Sequence, residues 1–190
     1  MNEAERLCAP SVQLQVPLAR QATGYTCGVA ALQSVLHYFG KPFRQDVLAD
    51  ALGSSPEQGT NYKRMAAFAQ ANGLACVARE GMSPDLLRSL INEGKPVMIA
   101  LQAWAAPGTD YSTAWDDGHY VIVVGYDDAT FYFMDPSVLG NYACLAEEEL
   151  LTRWHDCYEE DHTLYRLHRF GMAFAGEAVA YDPDACVMMG

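Results

Sequence analysis

Four side chains in this sequence could together transfer an acyl group: Gln21, Cys27, His119 and Asp135. Cys27 lies in QATGYTCGVAALQ, between a Gly-containing turn and an apolar run of helical spacing. A thiol at a helix start meets unpaired N–H groups and the positive end of the helix dipole, which favour thiolate over thiol. Nucleophilic catalysis also needs a base, and a group that orients the base. His119, at the mouth of the run HYVIVVGYD, is the best base. Asp135, in YFMDPS at the end of the following run, is the best orienter. Gln21, six residues before the cysteine, carries an amide that can donate to an oxyanion beside the Cys27 N–H. One such donor is worth about 3 kcal/mol in a transition state.

Each of these residues also has a plainer reading. A cysteine at a helix start usually packs, a histidine leading a strand is usually structural, and an aspartate before proline usually caps a turn. Their joint order is what points to acyl transfer. Asp127 or Asp128 could orient the histidine instead, but they lie at the wrong end of the strand. Asp116 and Asp117 could raise the histidine pKa or attract a substrate amine, although a solvated loop is the plainer reading.

The elements that must hold these groups are legible as periodicities. Val12, Leu14 and Val16 alternate like a strand edge. From Cys27, the positions Val29, Leu32, Val35, Leu36 and Phe39 recur at helical spacing until Gly40. Further helices are expected over Arg44–Leu52 and Asn61–Asn72 and in SPDLLRSLINEG, capped by Ser83, with LACVARE as a short strand. PVMIALQAW, HYVIVVGYD and TFYFMD read as strands, the last two joined by a turn at Asp127–Asp128. The 16-residue separation of His119 and Asp135 then suits a hairpin whose far ends lie side by side. AEEELLTRWHD reads as an amphipathic helix and TLYRLHRFGMAFAG as a last strand. Helices first and an antiparallel sheet after them give an α+β class. One domain is expected over 1–190, with a core at about 16–170 and an acidic tail of unassigned role at 171–190.

Gln–five residues–Cys–Gly opening a helix, GHYVIVVGYDD and MDPS together resemble the double-glycine (bacteriocin-processing) peptidases, a family of papain-like cysteine peptidases. The resemblance runs from about Val16 to Trp154 and includes the YFG ending the first helix and the later EEELLTRW. It implies a papain-like fold with N-terminal helices packed on a C-terminal antiparallel sheet. It also implies hydrolysis through an acyl-thioester after a Gly-Gly pair in a leader peptide. Cys27 would be the nucleophile, His119 the base, Asp135 the orienter and Gln21 the oxyanion donor. Many members are cytosolic front ends of peptide-exporting transporters. No membrane segment or Walker A motif follows here, so a free-standing member is implied. The residue before the nucleophile, often acidic in that family, is Thr26. Papain-like folds also host other acyl-transfer and deamidating enzymes, and a domain of this kind can bind a leader peptide without cutting it.

Composition narrows the partners. A net charge of −12 repels phosphate backbones and anionic lipid, which argues against nucleic acid and membrane; the peptide or protein substrate is what the resemblance implies. The longest apolar stretch, PVMIALQAWAAP, is too short to span a bilayer, and MNEAERLCAPS lacks the pattern of a signal peptide. A cytoplasmic protein is expected. Six cysteines without a C-x-x-C pair read as reduced thiols, mostly small buried hydrophobes. His155, Cys157 and His162 fit no common zinc spacing, so neither metal nor other cofactor is expected. His37 falls in or beside the core of the first helix.

Overall fold

The computed structural model describes residues 10–186, 188 and 189. The segment examined for a signal peptide lies largely outside the described residues, and Cys8 lies wholly outside them. β1 (Val12–Gln13) is shorter than its alternation suggests, although the Leu14 N–H still bonds to Val124 O at 2.7 Å. Four helices follow their caps. α1 (Cys27–Tyr38) is apolar on most of its surface, and α2 (Gln45–Leu52) ends at Gly53, whose φ of 60° suits only glycine comfortably. α3 (Tyr62–Ala71) is capped by Asn61, which accepts from the Lys63 N–H. α4 (Pro84–Asn92) is capped by Ser83, which accepts from the Leu86 N–H.

The strands β2 (Ala75–Arg79), β3 (Val97–Gln102), β4 (Gly118–Tyr126), β5 (Thr130–Met134), β6 (Ala143–Ala146) and β9 (Gly171–Ala175) join β1 in a seven-stranded sheet. Its order is β2-β9-β3-β4-β5-β6, its strand pairings among the described residues are antiparallel, and β1 pairs with β4 at Gly125–Tyr126. Alternation along the strands sorts two cores. Met98, Ala100, Ile122, Val124 and Met134 face α1, α2 and α3, whereas Ile99, Leu101, Val121, Val123 and Phe133 face α4 and Leu150. The helical half thus lies on an antiparallel sheet, as the α+β reading has it.

The chain departs from expectation after the third site strand. The helix expected over AEEELLTRWHD stops early, as α5 (Glu147–Arg153), and His155 and Asp156 open a strand instead, β7 (His155–Glu160). TLYRLHRFGMAFAG is two strands, not one. β8 (Thr163–His168) pairs with β7 as a separate hairpin, and Arg169 at φ 48° turns the chain into β9. The hairpin turns through Asp161 and His162, both at positive φ, the geometry that matches strand twist. HDCYEE has no β-branched residue and β6 is short and half-exposed, so neither composition nor periodicity announces β6 and β7, while β8 is strand as expected and only its break from β9 is unmarked. The tail does not begin at 171, because Gly171–Ala175 sits between β2 and β3. Among the five described cysteines only Cys76 is buried, which corrects the expectation of mostly buried thiols. His37 is exposed, with its ring edge-on to Tyr181 at 5.3 Å. No helix among the described residues is long and apolar enough to cross a membrane.

Beyond β9 the chain packs back on α1, where the Ala180 and Tyr181 N–H groups both donate to Tyr38 O. That end of α1 is about 16 Å from Cys27 at the rise of an α-helix. Truncation after Gly176 is expected to lower the thermal midpoint by roughly 4–8 °C, for two lost hydrogen bonds of about 1 kcal/mol each. The same truncation leaves the alkylation rate of Cys27 unchanged. A melting scan and a labelling time course check both.

Candidate active site

Cys27 is the first residue of α1 and is partly exposed. The turn before it is fastened by Thr26, whose Oγ1 accepts from the Thr23 N–H at 3.0 Å. Gly28 lets α1 approach the sheet, since a Cβ there would stand 3.0 Å from Thr60 and 3.1 Å from the Tyr120 ring. His119 and Asp135 come from the same end of the β4–β5 hairpin, where Ile122 pairs with Met134. By alternation they share the face of Val121 and Phe133, opposite α1. The imidazole therefore stands at the sheet end between a thiol from one side and a carboxylate from the other.

His119 Nε2 and Asp135 Oδ1 are 2.7 Å apart, and both residues are buried. With Nε2 engaged, Nδ1 is the ring nitrogen left for Cys27, whose thiol is near enough to shift the titration of the ring. Burial alone lowers the His119 pKa. The hydrogen bonds to Asp135 and Cys27, with the negative charge on both, outweigh burial and push it up to about 9. A raised pKa means that the imidazolium contributes its stability in full below about 6.5 and loses it as pH rises through about 9. The stability advantage of the parent protein over His119→Gln is expected to shrink by on the order of 2–3 kcal/mol between pH 6 and pH 10. Urea melts at the two pH values measure it.

Asp135 serves three donors. Oδ1 also accepts from the Ser137 N–H at 2.8 Å, and Oδ2 accepts from Trp104 Nε1 at 3.1 Å. Trp104 is 61% exposed and held at φ 65°, a conformation costing about 1–2 kcal/mol outside glycine. Sequence reasoning missed it, because a lone tryptophan in a loop carries no periodic signal.

Gln21 is tied to the turn after Asp135. Its N–H donates to Pro136 O at 3.0 Å and its Oε1 accepts from Ser137 Oγ at 3.2 Å. Its Nε2 donates to Thr23 O at 2.8 Å, which uses one of the two amide hydrogens. Gln45 of α2 brackets it, donating to Arg20 O at 2.7 Å and accepting from the Ala22 N–H at 3.1 Å. Asp127 and Asp128 are at the other end of the hairpin, where Asp127 accepts from the Ala129 N–H and the Tyr132 hydroxyl.

A cleft of about 610 Å³ opens over Cys27, with Gly118 and Tyr120 at its floor. The loop before α3 forms one wall and the β7–β8 hairpin the other. Lys63 pairs with Glu160 across them, and the rings of Tyr62 and Tyr158 meet edge-on at 5.3 Å. Asp156, also missed, lines this cleft. Burial pushes its carboxyl up to about 7, against hydrogen bonds from the Cys157 N–H and Gln102 and the nearby charge of His119. A smaller depression of about 280 Å³, lined by Leu101, Val121, Phe133 and Leu145, lies against Asp135 and Trp104. His155 Nε2 bonds to Ala114 O at 2.7 Å, and no group of three or more metal-binding side chains occurs among the described residues.

Residues 13–161 match the Peptidase_C39 like family. An uncharacterized protein of Methanothermobacter marburgensis is 28% identical over 122 residues, which is 64% of this chain and 72% of that one. Among solved structures, a chain from Bacillus anthracis named a C39-like peptidase superposes with a TM-score of 0.66 at 18% identity, covering 88% of this chain and 98% of its own. A double glycine motif protease from an AMS/PCAT transporter, in complex with the leader peptide, gives 0.60 at 20% identity, over 86% and 94%. The peptidase domain of Streptococcus ComA, a bi-functional ABC transporter, gives 0.62 at 16%, over 85% and 99%. At these identities the shared property is the fold.

Proposed function

The chain belongs to the Peptidase_C39 like family, and from that premise we propose that it is a cysteine peptidase acting through an acyl-thioester on Cys27. The observation that carries this reading is the buried His119–Asp135 pair, with Cys27 on the other side of the same ring and open to a cleft. In the proposed reaction, the Cys27 proton passes to His119 and Sγ attacks the peptide carbonyl. The oxyanion is met by the Cys27 N–H and the second Gln21 amide hydrogen. Collapse breaks the C–N bond, and His119 gives its proton to the departing amine. Water, deprotonated by His119, then attacks the thioester and frees the thiol. Asp135, itself held by Trp104 and Ser137, keeps the ring in the tautomer that presents Nδ1 to sulfur.

We further propose that the bond cleaved follows a Gly-Gly pair in a leader peptide. The sequence resemblance and the leader-peptide complex of the structural neighbour support this. The test is iodoacetamide labelling of the native protein against pH, with the modified residue mapped by mass spectrometry. Cys27 is expected to react first among the cysteines and well below pH 8, and His119→Ala to abolish that advantage. A Cys27 no faster than the exposed Cys144 and Cys186 would remove the chemical basis of the reading. Leader peptides with and without the Gly-Gly pair then decide the substrate. A reactive Cys27 that cleaves neither would favour another acyl-transfer reaction.

A further inference from the structure

We propose that Asp156 is a substrate-binding carboxylate that seats a cationic group of the peptide, an ammonium or guanidinium, in the cleft above Cys27. This rests on the reading of Cys27 as the nucleophile, and it adds a charge preference to that reading. Asp156 is 93% buried, and its two oxygens differ. Oδ1 accepts from the Cys157 N–H at 2.8 Å and from Gln102 Nε2 at 3.3 Å. Oδ2 has no partner among the described residues. Yet no fully enclosed side-chain nitrogen or oxygen there lacks one, so Oδ2 is the atom that reaches the cleft.

The carboxylate is placed by construction of the fold. Gln102 is paired with Gly118 across β3 and β4, accepts from the Asp117 N–H at 3.0 Å and donates to His155 O at 3.2 Å. One amide therefore ties the loop before His119 to the strand that carries Asp156. Gly118 makes the room, since a Cβ there would stand 2.3 Å from Asp156 Oδ1. Asp156 is thereby held against the residue preceding His119, on the same floor as Cys27. The walls reinforce its sign. Lys63 and Glu160 neutralise each other across the cleft, which leaves Asp116, Glu159 and Asp161 against Arg64. Burial pushes the carboxyl up to about 7 against the nearby charge of His119, so a cation docking on Oδ2 favours its charged form and adds a direct partner at that oxygen.

The cation could be a lysine or arginine side chain or a free α-amine, and the experiment separates them. Three tripeptides, acetyl-Ala-Lys-Ala-amide, acetyl-Ala-norleucine-Ala-amide and Ala-norleucine-Ala-amide, are titrated onto the full chain carrying Cys27→Ser and followed by NMR. The lysine peptide, the free-amine peptide or both are expected to bind at least about fivefold more tightly than the neutral one. Asp156→Asn is expected to remove that ratio, while Asp161→Asn, at the exposed rim, keeps most of it. Equal binding of all three, or a ratio that survives Asp156→Asn, would overturn the proposal. The comparison among peptides on the Cys27→Ser protein stands even if the Asn variant does not fold. Because binding is read without the thiol, an inert Cys27 in the labelling experiment would sink the peptidase reading and leave this result intact.

Discussion

Cys27→Ala is expected to lower peptide turnover by about 10⁴-fold or more, to the level of the uncatalysed background plus whatever binding alone contributes. The loss is this large because no other group can take the role. Cys157 lines the same cleft, but burial and the neighbouring Asp156 push its thiol pKa up, and its Sγ is turned toward Trp115 O at 3.5 Å. His119→Ala is expected to cost nearly as much, and the double variant no more than the worse single one, since nucleophile and base act as a unit. Initial rates on one leader peptide, for the two single variants and the double, make the test. Additive losses would mean that the two residues do not work together.

Asp135→Asn is expected to cost about 10³–10⁴-fold, more than a lost hydrogen bond would suggest. Every neighbour of this carboxylate is a donor: His119 Nε2, the Ser137 N–H and Trp104 Nε1. A carboxylate accepts on both oxygens, whereas an amide must turn its NH₂ toward one side. With its oxygen at the Oδ1 position, the NH₂ confronts the tryptophan N–H. Reversed, it meets Ser137 and invites the wrong histidine tautomer. Trp104→Phe in the Asp135→Asn background removes the first conflict and is expected to restore part of the rate, about tenfold. Steady-state kcat on the four proteins checks it, and no recovery would show that the tryptophan has no part in the tautomer.

How far this arrangement can be read before folding depends on how local each signal is. The first helix declares itself through Val29, Leu32, Val35 and Leu36, and its start falls on Cys27 in the sequence and the structure alike. The β4–β5 hairpin is equally local, with a turn that fixes the register and brings His119 beside Asp135. Gln21 is different. Its side chain bonds to Ser137, over a hundred residues away, while Gln45 of α2 bonds to Arg20 and Ala22 on either side of it, and none of these bonds leaves a trace in spacing. Asp156 is the furthest from legibility. It lies in a segment that ends a helical pattern, and its burial depends on Gly118 and Gln102, which only the closed sheet brings to it. The misread segments share one physical cause. β6 and β7 are short, half-exposed and without β-branched residues, so their pairing is decided by tertiary contacts and not by intrinsic preference.

The position of β9 bears on the order in which the molecule is made. Ala75 pairs with Ala175, and Met98 with Met172, so β2 and β3 do not touch each other and wait for a strand that leaves the ribosome much later. Until then both present open edges, although the hairpin bearing Asp156 already has its seat on β3 and β4 through Gln102 and Gly118. The thiol, its histidine and its aspartate are all synthesised before that strand arrives. A nascent chain would hold the reacting groups and the walls of the cleft while two edges of the sheet still stand open, so what the last strand supplies is the closure of the sheet between β2 and β3.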